Sequence, residues 1–474
     1  MAGFELSPRV EPNERIEISR AFFPEGHRGV LDLRRQLVVG NRGMGKSFWT
    51  HALLNSELRI RIAKVYSLPL LASTDVVVGF NGSTKIDAIA PTIDEAENWL
   101  KNGGNPEQFW RAVVYRATHR YRSAGPAPDL DRAMHDVVGS PRLYAEALTS
   151  VDDQLTRDGK SLLVVFDALD RLARDWKGIR ALVQGLLVLA LGLQSFRSIR
   201  AKIFVRPDLF ADSDLFRFPD SSKLKNDRVN MAWKPRELFG LLLYELLRQP
   251  NAQDEIERLA ANIGVSACLP REGRLTDASP EQQPAFIAAI AGEFMGASIK
   301  RGRVYSWVPL HLSDSASNCS PRTFLTAWKS AAEHGPQPAS LVVDHLGLIE
   351  GVRRASSARL AELGEDYPWI DSALRPLGRQ FVPIERHDLF ALWDASGVIN
   401  NILSKSKKDG FLAPFRVLEA QNNSGLLAAM VNIAVMEERM NGKINVPDIF
   451  RVEAGILRRG GVAVPRRGPY RIAP

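Results

Sequence analysis

An α/β fold, a parallel-sheet core ahead of a largely helical C-terminal region, follows from three observations on this sequence. Residues 40–47 read GNRGMGKS, a glycine-rich turn between a short apolar run and a helical stretch. Residues 161–170 read SLLVVFDALD, an apolar run long enough for a strand buried on both faces, closed by an acid. Residues 201–208 read AKIFVRPD, a β-type run halted by a proline with an arginine at its tip. Such strands, separated by helical stretches, predict a parallel sheet, because parallel neighbours need long crossover connections.

The first element is the run Gln36-Leu37-Val38-Val39, a short buried strand, and helix begins again at Phe48. The turn between them matches the phosphate-binding loop pattern G-x-x-x-x-G-K-[ST] in full, in the strand–loop–helix setting the pattern requires. Gly40, Gly43 and Gly45 let the chain turn tightly and aim successive N–H groups at one point, with the positive end of the helix behind them. Gly40, Asn41, Arg42, Gly43, Met44, Gly45, Lys46, Ser47 and Phe48 are therefore the expected binding loop for a nucleoside triphosphate. Lys46 would meet the β- and γ-phosphates as a point charge, and the Ser47 hydroxyl would ligate Mg²⁺. The bland alternative is a glycine-rich turn that matches by chance.

The second element delivers Asp167 to the same sheet edge, since ligands of open α/β sheets bind at the carboxyl ends of strands. Asp167 is the expected second Mg²⁺ ligand. Asp170, about one helical turn on, is the candidate to orient or deprotonate an attacking water, against an equal alternative as an N-cap or a salt-bridge partner of Arg171 or Arg174. Arg206, at the tip of the third run, is placed to read the γ-phosphate, or is a plain surface arginine. Residues 228–233 predict a weaker fifth strand, and Pro235 at a first helical position opens an amphipathic segment over 237–248. The most apolar stretch, residues 181–193, is 13 residues long, short of the roughly 18 that span a bilayer. It reads as a buried helix.

The loop, the strand ending FDALDR and the strand ending in arginine resemble, in that order, the signal-transduction P-loop ATPases of the STAND and KAP type. These belong to the ASCE branch of P-loop NTPases, with extra strands between the two Walker motifs. The resemblance covers roughly the first 245 residues. It implies ATP with Mg²⁺ as cofactors, ATP hydrolysis with Lys46, Asp167, Asp170 and Arg206 as its catalytic residues, and a role as a switch coupled to a protein partner, an effector or a homo-oligomer. The expected setting is bacterial conflict or antiphage defence. One departure stands out: many relatives carry a second acid directly after the Walker B aspartate, where this chain has Ala168. Hydrolysis that is slow or partner-dependent follows as an expectation. No N-K-x-D base-reading motif is present, so ATP is expected over GTP. The GILRRGG of residues 455–461 resembles endings of uncharacterised bacterial P-loop ATPases.

Composition agrees with a globular protein: 474 residues, 45% hydrophobic and 24% charged. Two distant cysteines, Cys268 and Cys319, point to a reducing compartment and away from a zinc or disulfide framework. With charges throughout its first residues and no apolar signal-peptide core, the chain is expected to be cytoplasmic and away from membranes. The eight histidines form no H-E-x-x-H pair and no G-x-S-x-G elbow occurs, which sets aside those hydrolase chemistries.

The expected domains are 1–249, a P-loop NTPase domain with a helical insertion over about 93–155; 250–284, a linker or loosely packed segment; 285–375, a helical domain; and 376–474, a winged-helix-like module. A formal net charge of +8 gathers partly in residues 299–303 and 456–461 and at Arg466 and Arg467. These clusters suit a nucleic-acid backbone, an arginine supplied to a neighbouring subunit (Arg301, Arg303 or Arg322), or plain solvated surface. Arg322 sits in the first turn of a helix opened by Ser320 and Pro321, a poor place for a cation unless an anion is near. The alternative function is a nucleotide-regulated DNA-binding protein acting through Arg458, Arg459, Arg466 and Arg467.

Overall fold

In the computed structural model the described residues are Met1, 21–275, 281–336, 338–459 and 462–464. The chain forms two compact units, Val10–Met231 and Met1–Arg9 with Ala232–Pro474. The division falls ahead of Gln249, the boundary suggested by sequence. Its cause is the helix Pro235–Leu247, which buries Leu238, Phe239, Leu242, Leu243 and Leu246 in the core of the second unit.

Five strands form the sheet of the first unit: β1 (Leu37–Val39), β2 (Thr74–Phe80), β3 (Ser161–Phe166), β4 (Ile199–Val205) and β5 (Val229–Asn230). Their order across the sheet is β2-β3-β4-β1-β5, with every pairing parallel. β1 and β3 are buried along their whole length, as apolar runs covered on both faces should be. The register sets Val39 beside Val205 and Phe166 beside Ile203. The residues that follow β1, β3 and β4 therefore leave the sheet at one edge, the carboxyl edge. β2 was not singled out from sequence, although its Val76-Val77-Val78 carries the β-branched signal.

Helices cover both connections. The stretch after the glycine-rich loop is two helices, Lys46–Leu54 and Ser56–Val65, because the Asn55 side chain accepts from the Leu58 N–H at 3.1 Å and starts a new one. Between β2 and β3 lie Ile93–Lys101, Pro106–Ala117, Leu130–Gly139 and Pro141–Arg157, each opened by a capping side chain: Thr92, Asn105, Asp129 and Ser140. Trp110, fully buried, donates to the Leu182 carbonyl at 2.7 Å and meets Phe80 and Phe166 edge-on. That contact holds the helix Trp176–Gly192, which with its 3₁₀ extension to Ser195 is long and apolar enough to cross a membrane by length and composition alone. Here it buries Ile179, Leu182, Val183, Leu186 and Leu187, and its Ala190 carbonyl accepts from Gln36.

The second unit is mostly helical around one core that runs from Leu238 to Val462. In the segment expected as a linker or a loosely packed segment, helix Gln253–Asn262 and the turn after it bury Ile256, Ala260, Val265, Cys268 and Leu269. Toward the C-terminus, β6 (Phe381–Val382) is followed by helices Arg386–Ala395, Val398–Asp409, Phe415–Ala420 and Asn423–Asn432. A hairpin of β7 (Glu437–Glu438) and β8 (Ile444–Asn445) comes next, and Ile444 bridges back to Ile384. β9 (Leu457–Arg458) then pairs with β6 in parallel. Helices and a hairpin that returns to Ile384, just past β6, make up this C-terminal region. Beneath it Asp448 is buried between His311 and Arg451, and Arg451 also donates to the Val462 carbonyl at 2.8 Å. Despite a burial that would raise it, hydrogen bonds and charge from His311 and Arg451 pull the Asp448 carboxyl down to about 2.

Candidate functional site

The glycine-rich loop starts where β1 ends. The Gly40 N–H bonds to the Val205 carbonyl of β4 at 3.1 Å, which ties the loop to the sheet edge. Gly43 and Gly45 have φ of 81° and 104°, left-handed values that a side chain would strain. Gly45 caps the helix Lys46–Leu54 with no side-chain hydrogen bond to the first turn. Lys46 folds back over its own loop, its Nζ donating to the Gly40 carbonyl at 2.7 Å and the Asn41 carbonyl at 3.1 Å. Burial lowers the Lys46 pKa, against the opposing pull of Asp167 and Asp170. At the end of the loop, the Phe48 ring meets Trp49 edge-on at 5.1 Å.

β3 brings the acid. Asp167 is buried; its N–H bonds to the Phe80 carbonyl, and its Oδ2 accepts from the Ser47 hydroxyl at 3.0 Å. Ala168 then takes a left-handed conformation, φ 56°, and its N–H donates to Asp167 Oδ1 at 2.8 Å. This turn leads into the 3₁₀ segment Leu169–Arg171, which carries Asp170. The salt-bridge alternative for Asp170 named Arg171 or Arg174, but the carboxylate pairs with Arg206: Nη1 lies 3.1 Å from Asp170 Oδ2. Arg174 is paired instead with Glu97 at 3.1 Å and Asp94 at 3.0 Å. Burial would raise the Asp170 pKa; the Arg206 charge, with a backbone N–H, Lys46 and Arg171, outweighs it and holds the carboxyl below its ordinary value.

β4 brings Arg206, largely buried, which caps the short helix Pro207–Phe210. Beyond the contact with Asp170, its Nε and Nη2 grip Asp208 at 3.1 and 2.6 Å. Asp208 was given no role from sequence; the only signal for it was the spacing Arg-Pro-Asp. Lys46, Ser47, Asp167, Asp170, Arg206 and Asp208 thus stand at one edge, from the ends of three neighbouring strands. The Ser47 hydroxyl and Asp167 carboxylate are hard oxygen donors of the kind Mg²⁺ takes, and a site that keeps several waters needs few protein ligands. Among the described residues no group of three or more His, Cys, Asp and Glu could hold a metal by itself.

The basic clusters of the second unit are less available than the sequence suggested. Arg322 has its anion in Glu362, at 3.1 Å. Arg303 pairs with Glu293 and lies over the Phe294 ring, while Arg301 is exposed. Arg458 lies 3.5 Å from the buried Asp448, and Arg459 is exposed. Arg466 and Arg467 lie outside the described residues. The helix Asn423–Asn432, which precedes the hairpin, carries no charged residue at all.

No protein-family model and no curated protein matches this chain. Among solved structures it is similar to Cdc6p from Pyrobaculum aerophilum, at 13% identity over 94% of this chain and 93% of that one, with a TM-score of 0.29. It is also similar to the Aeropyrum pernix ORC2 protein in its ADPNP–ADP complexes, at 13% identity over 91% and 85%, with a TM-score of 0.28. Likenesses this distant assign neither a family nor a role.

Proposed function

We propose that the protein binds ATP with Mg²⁺ at the edge formed by β1, β3 and β4, hydrolyses it, and acts as a nucleotide-dependent switch for a protein partner or a neighbouring copy. The observation that carries this reading is the convergence of Lys46, Ser47, Asp167, Asp170 and Arg206 from loops distant in sequence. Phosphates seated in the loop would draw Lys46 off the Gly40 and Asn41 carbonyls, a trade of two neutral acceptors for a charged one. Bound Mg²⁺ would offset negative charge building on the transferred phosphoryl group. Ser47 and Asp167, already in contact, would hold that ion. Asp170 would orient or deprotonate the attacking water, and Arg206 would sense the terminal phosphate.

Asp170 is engaged by Arg206, which supports slow or partner-dependent turnover. A defence setting rests on the STAND-type resemblance alone. The DNA-binding alternative draws less support, since Arg458 is drawn to Asp448 and the helix before the hairpin is uncharged. Phosphate release from ATP by the purified protein, alongside Lys46→Ala, tests the reading. We expect the variant to lose at least about tenfold in ATP affinity, the scale of one charge-assisted contact, and its turnover with it. Equal binding and turnover in both proteins would exclude this loop as the site.

A further inference from the structure

Arg206 is held unequally from two sides. Asp208 takes two N–H groups along the Nε/Nη2 edge, at 3.1 and 2.6 Å, whereas Asp170 takes one through Nη1, at 3.1 Å. Two parallel charge-assisted bonds fix the plane of a guanidinium and outlast one. Both partners of the doubled contact are shielded, with side chains 13% and 15% exposed. The backbone between them is set as well: Pro207 fixes φ at the first position of the short helix, and two residues past that helix Asp212 is clamped by Arg180.

We propose that Asp208 is a positioning residue for Arg206, holding the guanidinium by its Nε/Nη2 edge so that the Nη1 end alone exchanges Asp170 for the terminal phosphate of a bound nucleoside triphosphate. The proposal rests on the ATP-site reading above and adds a residue and an order of events to it. An arriving phosphate displaces the single contact, not the double one. Asp170 is released only when the triphosphate is in place, and a diphosphate, which lacks the displacing group, leaves the pair intact. With an uncharged residue at 208, the pull of Asp170 on the guanidinium is unopposed, and Arg206 closes on Asp170 instead of reaching the nucleotide.

The test compares affinities for the slowly hydrolysed analogue ADPNP and for ADP, by calorimetric titration with Mg²⁺ on the full chain. The proteins are the unaltered one, Asp208→Asn, Arg206→Ala and the double variant Asp170→Asn/Asp208→Asn. The unaltered protein is expected to prefer ADPNP. Asp208→Asn should cut that preference about tenfold, toward that of Arg206→Ala, with ADP affinity unchanged within about twofold. Removing the Asp170 charge as well should restore the preference, a rescue that a merely structural role for Asp208 would not give. Asp208→Asn keeps the size of the side chain, and thermal melting of each variant checks that it folds. An unchanged preference in Asp208→Asn, an equal loss for both nucleotides, or no rescue in the double variant each overturns the positioning role while leaving the ATP-site reading intact. Binding of neither nucleotide to the unaltered protein overturns both.

Discussion

Lys202 sits in the middle of β4 with none of its surface exposed, and its Nζ donates to the Asp32 carbonyl at 2.7 Å and to the Arg35 carbonyl. Burial, only partly offset by Asp32 and Asp227, pushes its pKa down to about 7. A base whose folded pKa lies below its unfolded value binds fewer protons folded than unfolded between the two. Stability therefore rises with pH from about 7 to about 10 and is weakened below that window, where the buried ammonium must stay charged. Lys202→Met should remove this slope. Melting temperature followed against pH for both proteins checks it, and parallel curves over pH 7–10 would rule out Lys202 as the source. At the same scale, Asp448 gives a slope of the same sign in a more acidic window: its depressed carboxyl adds stability above about pH 4 that fades as pH falls through about 2.

Among elements, helices Trp176–Gly192 and Pro106–Ala117 approach each other closely in the first unit. A Cβ at Gly185 would lie 2.7 Å from the Pro106 carbonyl carbon and 2.8 Å from the Glu107 nitrogen, both backbone atoms that cannot swing aside. Gly185→Ala should therefore cost about 1–3 kcal/mol through displacement of one helix from the other, read as a lower urea midpoint; a neutral or stabilising result would mean that the crossing is looser than this contact implies. The elements differ in how much of them the sequence reveals, and the reason is where their stabilising partners lie. β1, β3 and β4 carry their signal within themselves, as apolar runs buried on both faces, and the glycine spacing of the loop is local too. β6 and β9 have two residues each and exist because a strand distant in sequence pairs with them, and β7 and β8 are the two-residue arms of a hairpin, so no window of sequence defines their edges. The partner of Asp170 lies 36 residues away, just past the end of β4, while Arg171 and Arg174 are close in sequence; proximity along the chain pointed to other arginines. Asp208 was visible as a residue but not as a clamp, because its role depends on how Arg206 is turned.

For the molecule as a whole, net charge overstates the surface offered to an anionic partner. Arg303, Arg322 and Arg458, three of the arginines that made the second unit look basic, each face a carboxylate of the same unit. The core of that unit runs from Leu238 to Val462 and is built from its own residues. Residues 232–474 alone should therefore unfold in one cooperative step by calorimetry, as a closed hydrophobic core does. A broad transition without a heat-absorption peak would show that this core needs the rest of the chain. The left-handed turn at Ala168 bears, finally, on what mutation can reach. An alanine codon lies one base from an aspartate codon, and aspartate tolerates that backbone conformation well, so a second acid after Asp167 is genetically close. Yet the Ala168 methyl faces Gly82, where an added Cβ would come 3.3 Å from it and 3.2 Å from the Arg171 side chain. A carboxylate there would spend its charge on Arg171 instead of on Ser47 and the loop: the backbone would accept the change, and selection would gain little from it.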